Sequence, residues 1–480
     1  MFAALAIVSG RRGWRRDGSA GGRLARVALA LVLVWPVAAG AQASSADGSP
    51  ARRRITLGQA LELALSRNRS LRSANLESSA AAARVAVARA ALLPRLDGLE
   101  NYSNTNNPPL VFSNLLAQQE FKAGDFALQS LNFPGPFSNF QSQVMLTQTL
   151  FEGGRLWAAL HAAGDQRAIA AYRAARTRQQ VENEVVASYY GGVLAEEQTA
   201  VIARGLAAAR AHRREARDLF KHGMALRSDV LRTEVLVGGL EQAQTQADGR
   251  LRVAWASLAH VLGAEDQALA PLAADQALRR WPQGQPEPLS TLVSQAVAQR
   301  PELAIAHSGI DAARQAIRIA RADYLPAIDV SASYENDSEY FKRAGNSYTV
   351  FVTGRINLFN GLATHSRLEA ARLELERTRV LRDDLVHAIG LEVESAYRNL
   401  KAALANLGVA EHDRRYADSA MRILEDRYRS GLATNVEVLD AQSARRETDM
   451  RLAQARVEVV VDRAALNLAE GLAPAQGLEP

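Results

Sequence analysis

The sequence predicts a mainly α-helical chain of two tandem repeats, in which four β-strands per chain join a trimeric β-barrel of about 12 strands. Three observations predict this fold class. Two glycine-centred helix breaks, at Gly223 and Gly431, lie 208 residues apart in similar surroundings. Long stretches carry apolar residues at helical spacing, and four short segments alternate apolar and polar residues, as β-strands do.

The first 43 residues are interpreted as a cleaved signal peptide. Basic residues precede a short apolar run at 27–39, and small residues follow with Ala41 or Ala43 as the last residue before cleavage. That run has about 13 residues, whereas a helical membrane span needs about 20. Residues 1–41 hold six Arg and one Asp of a chain whose net charge is +6, so the remainder is near +1. No nucleic-acid partner is therefore predicted.

The rest of the chain divides into two copies of one unit. The segment "VAVARAALLPRLD" (85–97) matches "IRIARADYLPAID" (317–329), and both glycine breaks follow in step. We predict these divisions: a first repeat at 44–262, a Pro-rich equatorial connector at 263–288, a second repeat at 289–471 and a tail at 472–480.

The helices are predicted from their apolar stripes. We expect two long ones of about 100 Å and four of about 50 Å. The long helices are expected at 155–221 and 366–429. Two short helices stacked end to end would equal one long helix, so 228–262 and 289–325 are expected to line one long helix, and 436–470 and 57–93 the other. The clearest stripe comprises Leu385, Ile389, Val393, Ala396, Leu400, Ala403 and Leu407.

The strands are predicted at 95–104, 139–151, 327–336 and 347–359. Their length suits barrel staves that cross a bilayer. Four strands cannot close a barrel, and open sheet edges are not tolerated in hydrocarbon, so several chains must contribute. The alternative is a soluble β-hairpin that covers a helix bundle. The residues predicted to face lipid are Val144, Leu146, Ile328, Val330, Val350, Val352 and Ile356.

The helix breaks are predicted to be tight turns. In "YRSGLATNVEVLDAQ" (428–442), Gly431 can adopt the left-handed conformation that ends many helices. Asn435 is expected to cap the returning helix, which places Glu437 in its first turn, where the helix dipole favours a negative charge. Asp440 follows one turn later on the same face.

With these turns, the pattern resembles the TolC-like outer-membrane efflux proteins over nearly the whole mature chain. The resemblance rests on the repeat, the "LP" before each first strand, the exits "LFEGGR" and "LFNG", and above all "YRSGLATNVEVLDAQ". It implies a homotrimer with a barrel in the outer membrane and a helical tunnel in the periplasm. It also implies a periplasmic adaptor (membrane fusion) protein and an inner-membrane pump of RND, ABC or MFS type, working in efflux or type I secretion.

The resemblance also assigns roles to residues of the two turns. Glu437, Asp440 and Asp229 would form a periplasmic gate, and Ala433 stands where the family has a basic residue that ties the closed gate. The residues assigned to the tip turns and adaptor docking are Phe220, Gly223, Met224, Tyr428, Gly431 and Leu432.

Signals of catalysis are absent from the sequence. The eight histidines form no H-x-x-x-H or H-E-x-x-H pattern, and no P-loop or G-x-S-x-G motif occurs. We therefore predict no catalytic, cofactor-binding or metal site. Two further protein classes remain open: a periplasmic coiled-coil adaptor, and a structural or adhesive coiled-coil protein.

The first repeat contains an insertion that the second lacks. Residues 105–138 are rich in Pro, Asn and Phe. We expect them to form an extracellular loop that folds over the barrel mouth or into it.

Overall fold

The structure is a computed structural model that describes residues 53–265, 269–271, 278, 286–340 and 345–478, so the predicted signal peptide lies outside it. The described elements, in chain order, are β1 (Arg53–Ile55), α1 (Leu57–Arg67), α2 (Arg69–Ala90), β2 (Arg95–Thr105), α3 (Pro108–Ala117), a 3-10 turn (Ala123–Phe126), α4 (Leu128–Asn132), β3 (Phe137–Glu152), α5 (Arg155–Lys221), α6 (Arg227–Val261), β4 (Leu269–Pro271), α7 (Leu289–Gln299), α8 (Pro301–Ala322), β5 (Ala327–Ser338), β6 (Gly345–Arg355), α9 (Ala363–Arg429) and α10 (Asn435–Glu470).

The two long helices are confirmed, with 67 residues each in α5 and α9. The predictions of one continuous helix at 57–93 and at 289–325 are wrong, because each is broken in two. Asn68 ends α1 and caps α2, its side-chain oxygen accepting hydrogen bonds from the backbone of Ser70 (2.9 Å) and Leu71 (3.2 Å). In the second repeat the break falls before Pro301, which starts α8 because proline has no N–H to continue α7.

All four predicted strands are confirmed and form one antiparallel sheet in the order β2-β3-β5-β6. The pairing of β3 with β5 joins the two repeats. Ile356 was predicted within a strand, but β6 ends one residue earlier. Its partner strand begins at Ala327, which pairs with Arg355, so the ladder stops there.

The sheet has one apolar and one polar face. Val330 pairs with Val352, and Leu146 pairs with Ala332, so apolar side chains share one side. On the other side the Gln143 amide donates to Glu335 (2.6 Å). Many apolar side chains of the first face are exposed in the chain. An uncovered apolar face of this extent is a surface for lipid or for a protein.

The packing of the helices follows the sheet. Helix α5 packs against α6 and α8, and α9 packs against α10, as predicted. The pairing of 57–93 with the second long helix is wrong for this chain, because α2 packs against α5. The cause is the β2–β3 hairpin, whose paired ends continue into α2 and α5 and hold the two helices side by side.

The predicted stripe on α9 is confirmed as a core. Ile389, Val393 and Leu400 are fully buried and pack with Val459 and Leu466 of α10. A second core forms around the middle of α5. None of the described helices is both long and apolar enough to cross a membrane.

A short parallel sheet of β1 and β4 was not predicted. It ties the start of the described chain to the connector. The Arg54 guanidinium donates to the Pro271 carbonyl (2.8 Å), and the Tyr189 hydroxyl donates to the Ile55 carbonyl (3.0 Å). Much of the rest of the predicted connector lies outside the described residues.

The insertion at 105–138 contains helical structure rather than loop alone. It folds as α3, the 3-10 turn and α4. Phe121 lies edge-on to Phe112 and Phe126, with ring centroids 5.1 and 4.9 Å apart. The insertion therefore has a small aromatic core of its own.

Candidate functional site

The first helical tip is a glycine turn at the end of α5. Gly223 has a φ of 73°, in the left-handed region. Its N–H donates to the Phe220 carbonyl (3.0 Å), and the Met224 N–H donates to the Leu219 carbonyl (2.9 Å). These two bonds form a Schellman motif, which satisfies the carbonyls of the last helical turn.

The second tip repeats this geometry at the end of α9. Gly431 has a φ of 74°. Its N–H donates to the Tyr428 carbonyl (3.0 Å), and the Leu432 N–H donates to the Arg427 carbonyl (2.8 Å). The two turns predicted from the sequence are thus the same structural motif in the two repeats.

The tips expose several apolar side chains. Phe220, Met224 and Leu432 are exposed. Leu226 is exposed as well, although no sequence pattern marked it. Tyr428 is half-buried, with its ring edge-on to His212 at a centroid distance of 5.2 Å. Burial raises the pKa of Tyr428, and the charges of nearby acids raise it further.

The prediction that Asn435 caps the returning helix is wrong. The cap of α10 is Thr434, whose hydroxyl oxygen accepts from the Glu437 N–H (3.3 Å), while the Glu437 carboxylate accepts from the Thr434 N–H (2.6 Å). Thr434 has the extended backbone that a cap requires, and Asn435 is already helical. The hydrogen bond from the Thr434 backbone lowers the pKa of Glu437.

Asn435 instead ties the two tips together. It is buried, its side-chain oxygen lies 2.7 Å from Nε2 of His212 on α5, and its amide donates to the Asp229 carbonyl on α6 (3.3 Å). With Tyr428 of α9 against His212, one cluster joins all four helices at this end. No motif marked His212, because its role depends on a partner far away in the sequence.

The three predicted gate acids lie at the starts of the returning helices. Asp229 accepts a hydrogen bond from the Leu226 N–H (3.1 Å), which is the same helix-capping position that Glu437 occupies in the second repeat. Asp440 is exposed one turn further along α10. Two of the acids thus lie at the third position of a returning helix, where each carboxylate accepts from the N–H of the capping residue, and Asp440 makes no such contact.

No group of three or more potential metal-ligating side chains occurs among the residues that the structure describes. The site consists of two glycine turns, two helix starts and exposed apolar side chains.

The family model described as "Outer membrane efflux protein" matches residues 60–264 and 292–472. The chain belongs to this family. The two matched blocks overlap the predicted repeats at 44–262 and 289–471, and the unmatched stretch between them overlaps the predicted connector.

Individual proteins agree with this assignment. Protein CyaE of Bordetella pertussis is 32% identical over 319 residues, which are 62% of this chain and 64% of CyaE, just under two thirds of that relative. The proteases secretion protein PrtF of Dickeya chrysanthemi is 24% identical over 400 residues, 81% of this chain and 83% of PrtF. The CmeC outer membrane channel of Campylobacter jejuni superposes with a TM-score of 0.71 at 15% identity, covering 86% and 85% of the two chains.

The fold is therefore that of the outer-membrane channels, which combine a helical barrel with a β-barrel portion. The chain is an outer-membrane protein of a family of efflux and secretion channels. This family assignment replaces the two coiled-coil alternatives that the sequence left open.

Proposed function

We propose that three copies of this chain form a duct that exports substrate through the outer membrane and across the periplasm. The observation that carries the proposal is the four-stranded sheet with an uncovered apolar face and two edge strands, β2 and β6. Hydrocarbon does not tolerate unpaired strand edges. Pairing β6 of one chain with β2 of the next closes a barrel of about 12 strands, wide enough to enclose water.

The polar face of the sheet lines this duct. Val144, Leu146 and Val350, with the other residues of the apolar face, then face lipid. The helices continue the duct into the periplasm, because their length of 67 residues corresponds to about 100 Å.

The tips dock a periplasmic adaptor in this proposal, and the adaptor connects the duct to an inner-membrane pump. The exposed side chains of Phe220, Met224 and Leu432, next to two Schellman turns, offer an apolar surface at the end of each hairpin. Such groups gain free energy when a partner covers them. The similarity to PrtF, a proteases secretion protein, supports a polypeptide as one class of cargo.

Assembly is tested by placing one charge on either face of β6. Val350→Arg puts the charge on the apolar face near mid-strand, which costs about 2–4 kcal/mol in a bilayer. Thr349→Arg, its neighbour on the polar face, is the matched control. We expect crosslinking in native membranes to give a three-chain species in the parent and in Thr349→Arg, and little of it in Val350→Arg. Equal trimer yield in both variants would contradict the orientation of the sheet.

We also propose that Glu437, Asp440 and Asp229 surround the periplasmic entrance. In a trimer their carboxylates would lie near one axis, where like charges gather cations. The opposite possibility is that Glu437 only completes the capping box of Thr434.

The two roles of Glu437 are separable because glutamine also serves in a capping box. Glu437→Gln with Asp440→Asn therefore removes the charges and keeps the cap. We expect divalent cations added on the periplasmic side to reduce the current of the reconstituted parent channel, and the double variant to lose this block. Equal block in both proteins would leave Glu437 as a cap alone.

A further inference from the structure

We propose that helix α3 is an extracellular plug, docked on the pore-facing side of the sheet. The proposal rests on the channel function proposed above. It concerns the end of the barrel opposite the helical tips, and it assigns a role to the insertion that only the first repeat carries.

The position of α3 shows that it crosses the sheet. In sequence it lies between β2 and β3, yet it contacts β5 and β6. The strand ends nearby are Thr105 with Phe137, and Asp337 with Gly345, which are the hairpin ends. The helices leave from the opposite ends of the same strands. In the proposed barrel, α3 therefore lies at the extracellular mouth.

The alternation of the strands identifies the side on which α3 lies. Asn139 and Gln143 of β3 share a face, and so do Asp337 and Glu335 of β5. Gln143 bonds to Glu335, and Asn139 bonds to Asp337 (2.6 Å), so all four belong to the polar face. This is the face that lines the duct.

A buried polar cluster anchors α3 to this face. Gln118, the residue that ends α3, is 1% exposed. Its amide donates to the Ser138 carbonyl and to the Asn139 side chain, both at 2.9 Å. Asn139 and Asp337 are also buried. Burial of polar groups is costly unless they are hydrogen-bonded, so this cluster favours one docked position over an open loop.

Two backbone features fit the same docked position. Gln119 has a φ of 59°, a left-handed conformation that is unfavourable for a residue with a side chain, and its amide donates to the Asn346 carbonyl of β6 (3.3 Å). At Gly345, an added Cβ would lie 1.8 Å from the Ala117 carbonyl oxygen. Helix α3 therefore lies directly on the start of β6, in space that only glycine leaves open.

The size of a helix is sufficient to obstruct the duct. Twelve strands about 4.8 Å apart, tilted by about 40°, close a barrel roughly 24 Å across. Three helices of about 10 Å diameter would occupy most of that width. The docked plugs would therefore restrict entry of large solutes from outside while leaving the barrel intact.

The test uses the absence of cysteine from the chain. Ser331→Cys introduces one thiol on the polar face of β5, further from the mouth than the Asp337 cluster. Intact cells are treated with a polyethylene glycol maleimide that is too large for general porins. We expect slow labelling in this parent, and labelling roughly tenfold faster when Gly345→Ala displaces α3, since losing two buried hydrogen bonds shifts a docking equilibrium by about that factor.

The matched control is Gly354→Ala on the same strand, where an added Cβ meets nothing within 4 Å. It should label like the parent. Gln118→Ala removes the anchor without a clash and should also accelerate labelling, which covers the case in which Gly345→Ala does not assemble. Rapid labelling of the parent, or equal rates in parent, Gly345→Ala and Gln118→Ala, would overturn the plug. The trimer and its export activity would be unaffected by that outcome, so the two proposals fail separately.

Discussion

Asn435→Ala is expected to raise the fraction of time that the reconstituted channel is open at its periplasmic end by roughly tenfold. The Asn435 side chain connects α10 to His212 of α5 and to the Asp229 carbonyl of α6. A buried polar group that loses its hydrogen-bond partner costs about 1–3 kcal/mol, and about 1.4 kcal/mol corresponds to a factor of ten in an equilibrium constant. In the proposed gate, the closed arrangement would lose that stabilisation, and an arrangement with separated tips would not.

Single-channel recording in planar bilayers measures this effect. Val436→Ala is the matched control, because it lies in the same helical turn with a side chain that is 40% exposed. It should leave the open fraction within about twofold, as surface substitutions usually change free energies by less than 0.5 kcal/mol. An unchanged open fraction in Asn435→Ala would show that the cluster does not hold the tips together.

Arg300→Ala is expected to destabilise the folded chain by about 3 kcal/mol. The Arg300 side chain is 7% exposed and pairs with Glu302 (2.9 Å) and Glu392 (2.6 Å) where α7 meets α8. Removing the guanidinium leaves the Glu302 carboxylate, whose side chain is 13% exposed, with Arg176 as a remaining partner (3.1 Å). A buried charge that loses a partner is costly, unlike an exposed one.

Denaturant titration of the purified protein, followed by trimer migration and circular dichroism, measures the loss. Arg314→Ala in the adjoining helix α8 is the control, because Arg314 pairs with Asp311 at the surface, where both side chains are more than half exposed. Its effect should stay within about 0.5 kcal/mol. Similar midpoints for the two variants would mean that the Arg300 cluster does not stabilise the junction of α7 and α8.

The same cluster predicts a pH dependence with a definite sign. Burial alone would raise the pKa of Glu302, but the hydrogen bonds and charge of Arg300 outweigh it and lower that pKa below its ordinary value of 4.5. The stabilisation is therefore fully present above about pH 4.5 and is lost as the pH falls through the folded-state pKa. Arg300→Ala should reduce this acid sensitivity. A titration of unfolding midpoints below pH 6 in both proteins measures the difference.

The long helices and tip turns were predictable because their signals are local. Glycine at Gly223 and Gly431, followed by an acid six residues later, specifies a turn and a restarted helix. The capping residue was misassigned because Thr434 and Asn435 are both good caps, and a shift of one residue decides between them.

The helix breaks at Asn68 and before Pro301 carried ordinary local signals, a capping side chain and a proline, that the long apolar stripes obscured. The remaining features depend on distant partners. The pairing of β1 with β4 involves three residues each, and the contact of His212 with Asn435 spans two repeats. The docking of α3 across the sheet is likewise set by tertiary packing, which no periodicity in the sequence encodes.

Spin labels at single cysteines along β5 test the central claim most directly, because they report which face of the sheet meets lipid. Oxygen, which concentrates in lipid, is expected to relax labels at 328, 330, 332 and 334 most strongly. A water-soluble nickel chelate should relax labels at 329, 331 and 333 most strongly once it is admitted to the duct. A period of two in both profiles, with opposite phase, would confirm a membrane-spanning stave around a watery pore. Uniform access of the nickel chelate to all seven positions would contradict it and place the sheet in solution.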